Sequence, residues 1–178
     1  HQADWVDPIS VRYRDVELHE IGPSGQGIGA LMALGMLEHF DLKAAGLDSA
    51  LTQHLQIEAM KLAFADLHEY VADLDAMRDV TAADLLKPAY LKQRASLINP
   101  AHAAAVRPGS PHNGGTVYLT AADENGMMVS FIQSNFKGFG SGVVVPGTGI
   151  ALHNRGSGFS LKPGHPNQVA PGKRPFHT

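Results

Sequence analysis

Cysteine is missing from this 178-residue chain, which excludes disulfide staples and thiolate metal sites and leaves the redox compartment open. Charge of one sign is scarce as well: 14 Lys and Arg stand against 17 Asp and Glu, a formal net charge of −3 at pH 7. Without a basic field there is no electrostatic footprint for nucleic acid or for an anionic membrane. No apolar run approaches the 18 or so residues of a spanning helix, and no stretch has the pattern of a secretory signal. Tandem repeats and low-complexity tracts are absent. What is there is 44% apolar and 17% charged, the make-up of a globular chain long enough for one proper core.

Taken in order, residues 4–14 are mixed, with Pro8 arguing against helix, and Asp15 to Ile21 alternates as a strand does. The glycine-rich turn Gly22 to Gly27 leads into Ile28 to Phe40, apolar all round and therefore a buried helix. Asp41 to Asp48 is a connection. A longer helix is expected from Ala50 to Leu74, where Ile57, Met60, Phe64, Leu67, Val71 and Leu74 recur at helical spacing, widened by Leu55, Ala59, Leu62 and Ala63. Thr81 suits the N-cap of a short helix from Ala82 to Leu86, and Pro88 the first position of another running to Ile98. Asn99 to Asn113 is rich in proline and reads as an exposed linker.

Two β-rich runs come next, Thr116 to Ala122 and Met127 to Asn135, around a turn with Asn125-Gly126. This is the pattern of a β-hairpin. After it stand a strand-like segment from Phe139 to Val145, a turn at Pro146-Gly147 and a return from Gly149 to His153. No regular element is expected from Asn154 to Pro175. Helices first and strands last point to an α+β chain with helices layered on antiparallel sheet.

One spot in this pattern can carry chemistry. Gly114-Gly115 precedes Thr116, and glycine tolerates backbone conformations closed to other residues. The Thr116 hydroxyl can then attack the Gly115 carbonyl, cutting the chain and freeing the Thr116 α-amine. That amine, with an ordinary pKa of about 7.7–8.0, can act as general base to its own hydroxyl, the N-terminal form of an activated nucleophile. The plain alternative is that Gly-Gly-Thr merely opens a strand, in a catalytically silent scaffold.

The run Phe139-Gly140-Ser141-Gly142 through Ile150, then Leu152-His153-Asn154, Phe159-Ser160 and Gly172-Lys173-Arg174-Pro175 resembles the small subunit of the γ-glutamyltranspeptidase family. Trp5, Pro8, Tyr13-Arg14, Pro23-x-Gly25-Gln26-Gly27, His54-x3-Glu58-Ala59 and Phe64-Ala65-Asp66 resemble its large subunit, in the same order. The resemblance implies part of the αββα sandwich of N-terminal nucleophile hydrolases, with residues 1–115 as a mostly helical large-subunit-like part and 116–178 as a mostly β small-subunit-like part of one structural domain. It implies that the chain is a piece of a longer protein, partnered by the remaining large- and small-subunit segments and of little activity by itself.

The same resemblance implies an acyl-enzyme on Thr116, formed after cleavage between Gly115 and Thr116 and passed to an amino acid, a peptide or water. γ-Glutamyl amides such as glutathione are the expected donors, and no cofactor or metal is required. Ser134 falls on a family Thr that hydrogen-bonds the nucleophile. Asn154, Arg155 and Thr178 fall on or beside substrate-binding positions. Three positions depart from the family pattern: Phe136 stands for an Asn, Arg155 for a Gln or Glu, and Gly158 for an Asp. In the family those polar groups hold the ammonium and carboxylate of the γ-glutamyl moiety. An Arg suits a carboxylate better, so a broader amidase or acylase, of glutaryl or cephalosporin type, is the alternative.

Other features have simpler readings. The glycines Gly25, Gly27 and Gly29 are wrongly spaced for a dinucleotide fingerprint and fit a tight turn with close helix packing. His54 and Glu58, four apart on one helical face, lack a third ligand with a metal-site spacing and read as a local hydrogen-bonded pair. Asp66, Glu69 and Asp73 read as the wet side of the long helix, and His102, His112, His165 and His177 as solvated loop residues.

Overall fold

The computed structural model describes residues 5–104 and 116–177, with side chains of the second span from residue 120. Two compact units emerge, one from residues 1–109 and 159–178, the other from residues 110–158.

The first unit opens with an antiparallel ribbon of β1 (Ile9–Tyr13) and β2 (Val16–Glu20), paired from Ile9↔Glu20 to Tyr13↔Val16. Its tight turn places Arg14 at φ 58°. β1 lies in the stretch read as mixed. Its alternation is short, but Ile9, Val11 and Tyr13 share one face and pack against the core.

Helix α1 (Gly27–Leu37) is the centre of this unit, with Ile28, Leu31, Met32 and Met36 completely buried. Each such side chain contributes roughly 1.5–3 kcal/mol by leaving water. The expected close packing is present: a Cβ on Gly29 would come within 2.9 Å of Leu67 Cδ2. Gly35 likewise admits Leu91.

The connection after α1 contains one helical turn, α2 (Leu42–Ala45), capped by Asp41, which accepts the Ala44 N–H at 3.0 Å. Helix α3 (Ala50–Tyr70) begins at Ser49, whose hydroxyl accepts the Thr52 N–H at 3.0 Å. It ends four residues before the expected Leu74, because Val71 turns extended and carries itself and Ala72 into the core. Its buried face is Thr52, Leu55, Glu58, Ala59, Leu62, Ala63, Asp66 and Leu67. Ile57 and Leu74, expected in the apolar stripe, are exposed. Two of the acids read as wet are buried: Asp66 is 6% exposed and Asp73, just beyond the helix, 7%.

Thr81 and Asp84 form a reciprocal capping box at the start of α4 (Ala82–Leu85). Pro88 occupies the first turn of α5 (Pro88–Ala95). Tyr90 Oη donates to Asp66 Oδ2 at 2.9 Å and Arg94 pairs with Asp66 Oδ1 at 2.9 Å, fastening α5 to α3. Burial pushes the Asp66 carboxyl above its ordinary value despite Arg94, and the Tyr90 phenol is pushed up to about 12 by burial and by Asp66.

Residues 159–177 join this unit without helix or strand and are tied by side chains. Asp73 accepts the Arg174 N–H at 2.8 Å and its guanidinium at 3.1 Å. Asn167 Oδ1 accepts the Phe176 N–H at 2.9 Å, and the His177 N–H reaches Ser24 O at 3.1 Å. His165, read as solvated, is half-buried and bonds His68 O through Nε2 at 3.1 Å. Among the described residues no helix is long and apolar enough to cross a membrane.

The second unit holds the expected hairpin, β3 (Thr116–Ala122) and β4 (Met128–Ser134). Asp123 Oδ1 accepts the N–H groups of Asn125 and Met127, both at 2.9 Å, and Gly126 supplies φ 84°. A second, looser ribbon succeeds it, bridged at Val144↔Ala151 and closed by the expected turn at Pro146-Gly147. Helices and antiparallel strands together make an α+β chain, as expected.

Candidate active site

The polar and charged residues singled out in the second unit gather where β4 ends. In the ladder Thr116 is the register partner of Ser134, and register partners of an antiparallel pair share a face of the ribbon. Ser134 is half-buried, and its hydroxyl accepts the Phe136 N–H at 3.0 Å.

The same bond shapes the turn beyond β4. Phe136 sits at φ 76°, a left-handed conformation rare for an aromatic residue, and the Ser134 hydroxyl is one of the contacts holding it there. Gly140, at φ 69°, lets the Leu152 carbonyl and His153 come against the chain at a distance no Cβ would tolerate. Ser141 secures the same carbonyl twice, through its N–H and its hydroxyl, each at 2.9 Å.

Asn154 then clasps the end of β4. Its Oδ1 accepts the Lys137 N–H at 3.0 Å, its Nδ2 donates to Lys137 O at 3.3 Å, and its own N–H donates to Asn135 O at 3.2 Å. The side-chain amide mimics a strand partner, so Asn154 positions the neighbouring backbone. Arg155 opens a 3₁₀ turn, Arg155–Gly158, and its guanidinium lies 5.5 Å from the Phe136 ring centroid. Lys137 Nζ lies 5.4 Å from the same ring. Such cation–ring contacts are worth about 0.5–2 kcal/mol. Burial lowers the Arg155 pKa, yet an Arg stays cationic at any working pH.

The structure therefore brings Thr116, Ser134, Asn154 and Arg155 to one end of the ribbon. Gly115 and Thr178 lie outside the described residues, as do the Thr116 side chain, His112 and most of the expected linker. The His54–Glu58 pair is a correction: His54 Nε2 bonds Asn99 O at 2.9 Å, and Glu58 bonds Lys61 Nζ at 2.6 Å and the Ala104 N–H at 2.9 Å. Lys137 and the Glu58–Lys61 pair were not anticipated. Glu58 was detectable, since it shares its helical face with Leu55, Ala59 and Leu62. Among the described residues no three His, Asp or Glu side chains converge as metal ligands.

Comparison with known proteins gives the family of the chain. The gamma-glutamyltranspeptidase family model matches residues 1–178. The oxamate amidohydrolase proenzyme of Klebsiella pneumoniae is 40% identical over 178 residues, covering 100% of this chain and 33% of that protein. The glutathione hydrolase proenzyme of Pseudomonas aeruginosa is 37% identical over 191 residues, covering 98% of this chain and 34% of that protein. Cephalosporin acylase from Bacillus halodurans matches in structure with a TM-score of 0.84 at 50% identity, covering 98% of this chain and 31% of that one. The chain thus spans about a third of the length of each of these relatives.

Proposed function

Since this chain belongs to the gamma-glutamyltranspeptidase family, whose relatives here are proenzymes that hydrolyse amides, we propose that it is the centre of an amide hydrolase or acyltransferase working through Thr116. In this reading the Thr116 hydroxyl adds to the Gly115 carbonyl, the C–N bond breaks to give an ester, and water hydrolyses the ester. Gly115 is left with a carboxylate and Thr116 with a free amine. In turnover the amine takes the hydroxyl proton as the oxygen attacks the substrate amide, then delivers it to the leaving nitrogen. The acyl-enzyme passes to water or to an acceptor amine. Base and nucleophile are one residue, so the step needs no metal or organic cofactor. Ser134 orients the Thr116 oxygen, and Asn154 holds the backbone of 135–137 in place.

The acyl donor in this proposal carries a carboxylate and lacks an α-ammonium. One observation carries it: Arg155 lies against Phe136 beside Asn154, so a substrate ammonium would meet a cation where a carboxylate would be welcome. Thr178 serves as a further contact to that carboxylate. The second reading is a γ-glutamyl donor such as glutathione, favoured by the 37% identity to a glutathione hydrolase proenzyme.

A pair of anilides decides between them. Glutaryl- and γ-glutamyl-anilide differ only in the α-ammonium, and the full-length protein should prefer the glutaryl compound in kcat/KM by about tenfold or more, the effect of about 1.4 kcal/mol or more of repulsion between an ammonium and the Arg155 guanidinium. Preference for the γ-glutamyl compound sinks the first reading and leaves the second.

A further inference from the structure

We propose that Glu58 and Lys61 are positioning residues for self-cleavage: together they grip Ala104, upstream of the Gly115–Thr116 junction, and so set the register in which the chain enters it. The inference rests on the reading above that this junction is cut.

The grip is two-sided. Glu58 Oε2 accepts the Ala104 N–H at 2.9 Å, while Lys61 Nζ donates to Ala104 O at 2.7 Å and to Glu58 Oε1 at 2.6 Å. One helical turn closes a ring through both backbone groups of a single residue. One turn earlier on α3, His54 Nε2 holds Asn99 O at 2.9 Å, and the Asn99 side chain accepts the Ala101 N–H at 2.8 Å. Asn99 and Ala104 are therefore both held along one side of the helix.

Stability alone does not call for such an arrangement. Glu58 is only 1% exposed, while the Lys61 side chain is 32% exposed, and desolvating the carboxylate costs so much that apolar packing at its position generally stabilises as well or better. Burial pushes the Glu58 carboxyl up, but Lys61 and the Ala104 N–H outweigh it and leave the group below its ordinary value, so it is ionised when it grips. What an ionic grip supplies and apolar packing does not is a fixed position for one particular peptide unit. Without it the last held position upstream is Asn99, through His54, five residues further from Thr116 along the chain. Loss of orientation at the reacting bond is then the main cost, since small misplacements there are felt strongly in rate.

The test tracks cleavage of full-length proenzyme by intact mass, for wild type, Glu58→Gln, Lys61→Met and Lys61→Arg. Arginine can bridge the same carboxylate and carbonyl. The expected result is cleavage at least about fivefold slower in Glu58→Gln and Lys61→Met, recovery in Lys61→Arg, and unchanged kcat/KM per cut molecule in all. Thermal unfolding of each variant in an uncleavable Thr116→Ala background verifies folding. Three results overturn the clamp: cleavage of Lys61→Met within about fivefold of wild type, Lys61→Arg as slow as Lys61→Met, or cut variants that lose turnover in proportion to their slower cleavage. Wild type that is never cut defeats the Thr116 reading and the clamp with it, whereas normal cleavage of the variants defeats the clamp alone.

Discussion

Removing the Asp73 carboxylate should loosen residues 170–177 by an amount that can be worked out bond by bond. Asp73 accepts the Arg174 N–H at 2.8 Å and the guanidinium at 3.1 and 3.3 Å. The carboxylate is 11% exposed, but the guanidinium is 60% exposed, so solvent screens that half to about 1 kcal/mol or less. A backbone N–H held by a buried charged acceptor is worth about 1.5–3 kcal/mol. Asp73→Ala should then weaken the attachment by about 2 kcal/mol, or roughly 30-fold in the local opening equilibrium. Arg174→Ala keeps the backbone bond and should cost about 1 kcal/mol at most, roughly fivefold. The assay is hydrogen exchange of the Arg174, Phe176 and His177 amides in the full-length protein, where faster exchange reads the opening directly. Burial pushes the Asp73 carboxyl up, but the Arg174 N–H, hydrogen bonds and charge leave it net lowered. The stabilisation is therefore present above the ordinary carboxylate value of about 3.9 and is lost as pH falls through the lowered one. Equal exchange rates in Asp73→Ala and wild type, or an Arg174→Ala as damaging as Asp73→Ala, would refute the reasoning.

Three further outcomes are expected. Asp66 is raised by burial, so its contribution has the opposite sign: it is present below about pH 3.9 and lost as pH rises through the raised value. The stability difference between wild type and Asp66→Asn, from denaturant unfolding, should therefore fall with pH above about 4; a difference that grows contradicts the burial argument. Gly140→Ala should cost more than Gly126→Ala in the same assay. Both have positive φ, worth about 1 kcal/mol, but only at Gly140 would the new Cβ meet backbone, whereas Gly126 has nothing within 4 Å. Equal costs would mean that the Leu152 approach does not constrain the turn. Thr81→Ala, which removes the α4 cap, should cost about 1 kcal/mol, and a neutral result would show the capping box to be idle.

The hairpin and the helices were legible because their signals are local. Asn125-Gly126 between β-rich runs and Pro88 at a helix start each act within a few residues of themselves. β1 escaped notice because five residues give too short an alternation once Pro8 stands beside them. The end of α3 was missed because Val71 continues the helical spacing while its backbone turns into the core, a tertiary effect. Asp66 and Asp73 looked solvated because their partners, Arg94 and Arg174, lie 28 and 101 residues further along the chain. The expected stripe includes Leu55, Ala59, Leu62 and Leu67, which are buried, and Ile57, which is exposed; Glu58 and Asp66 share the buried face, and hydrophobicity alone discounts these two acids. At the candidate site, the family resemblance implies Arg155 and Asn154 as ligand contacts. The clasp of Asn154 on Lys137 depends on a left-handed Phe136 and a close approach at Gly140, neither of which spacing reveals.

The most direct test of the whole account is the mass and N-terminal sequence of the purified full-length protein beside its Thr116→Ala variant. Two polypeptides are predicted for the wild type, the second beginning at Thr116, and one uncut chain for the variant. A wild type that stays whole, or a Thr116→Ala variant cut at the same bond, would contradict the claim that Thr116 makes itself the nucleophile.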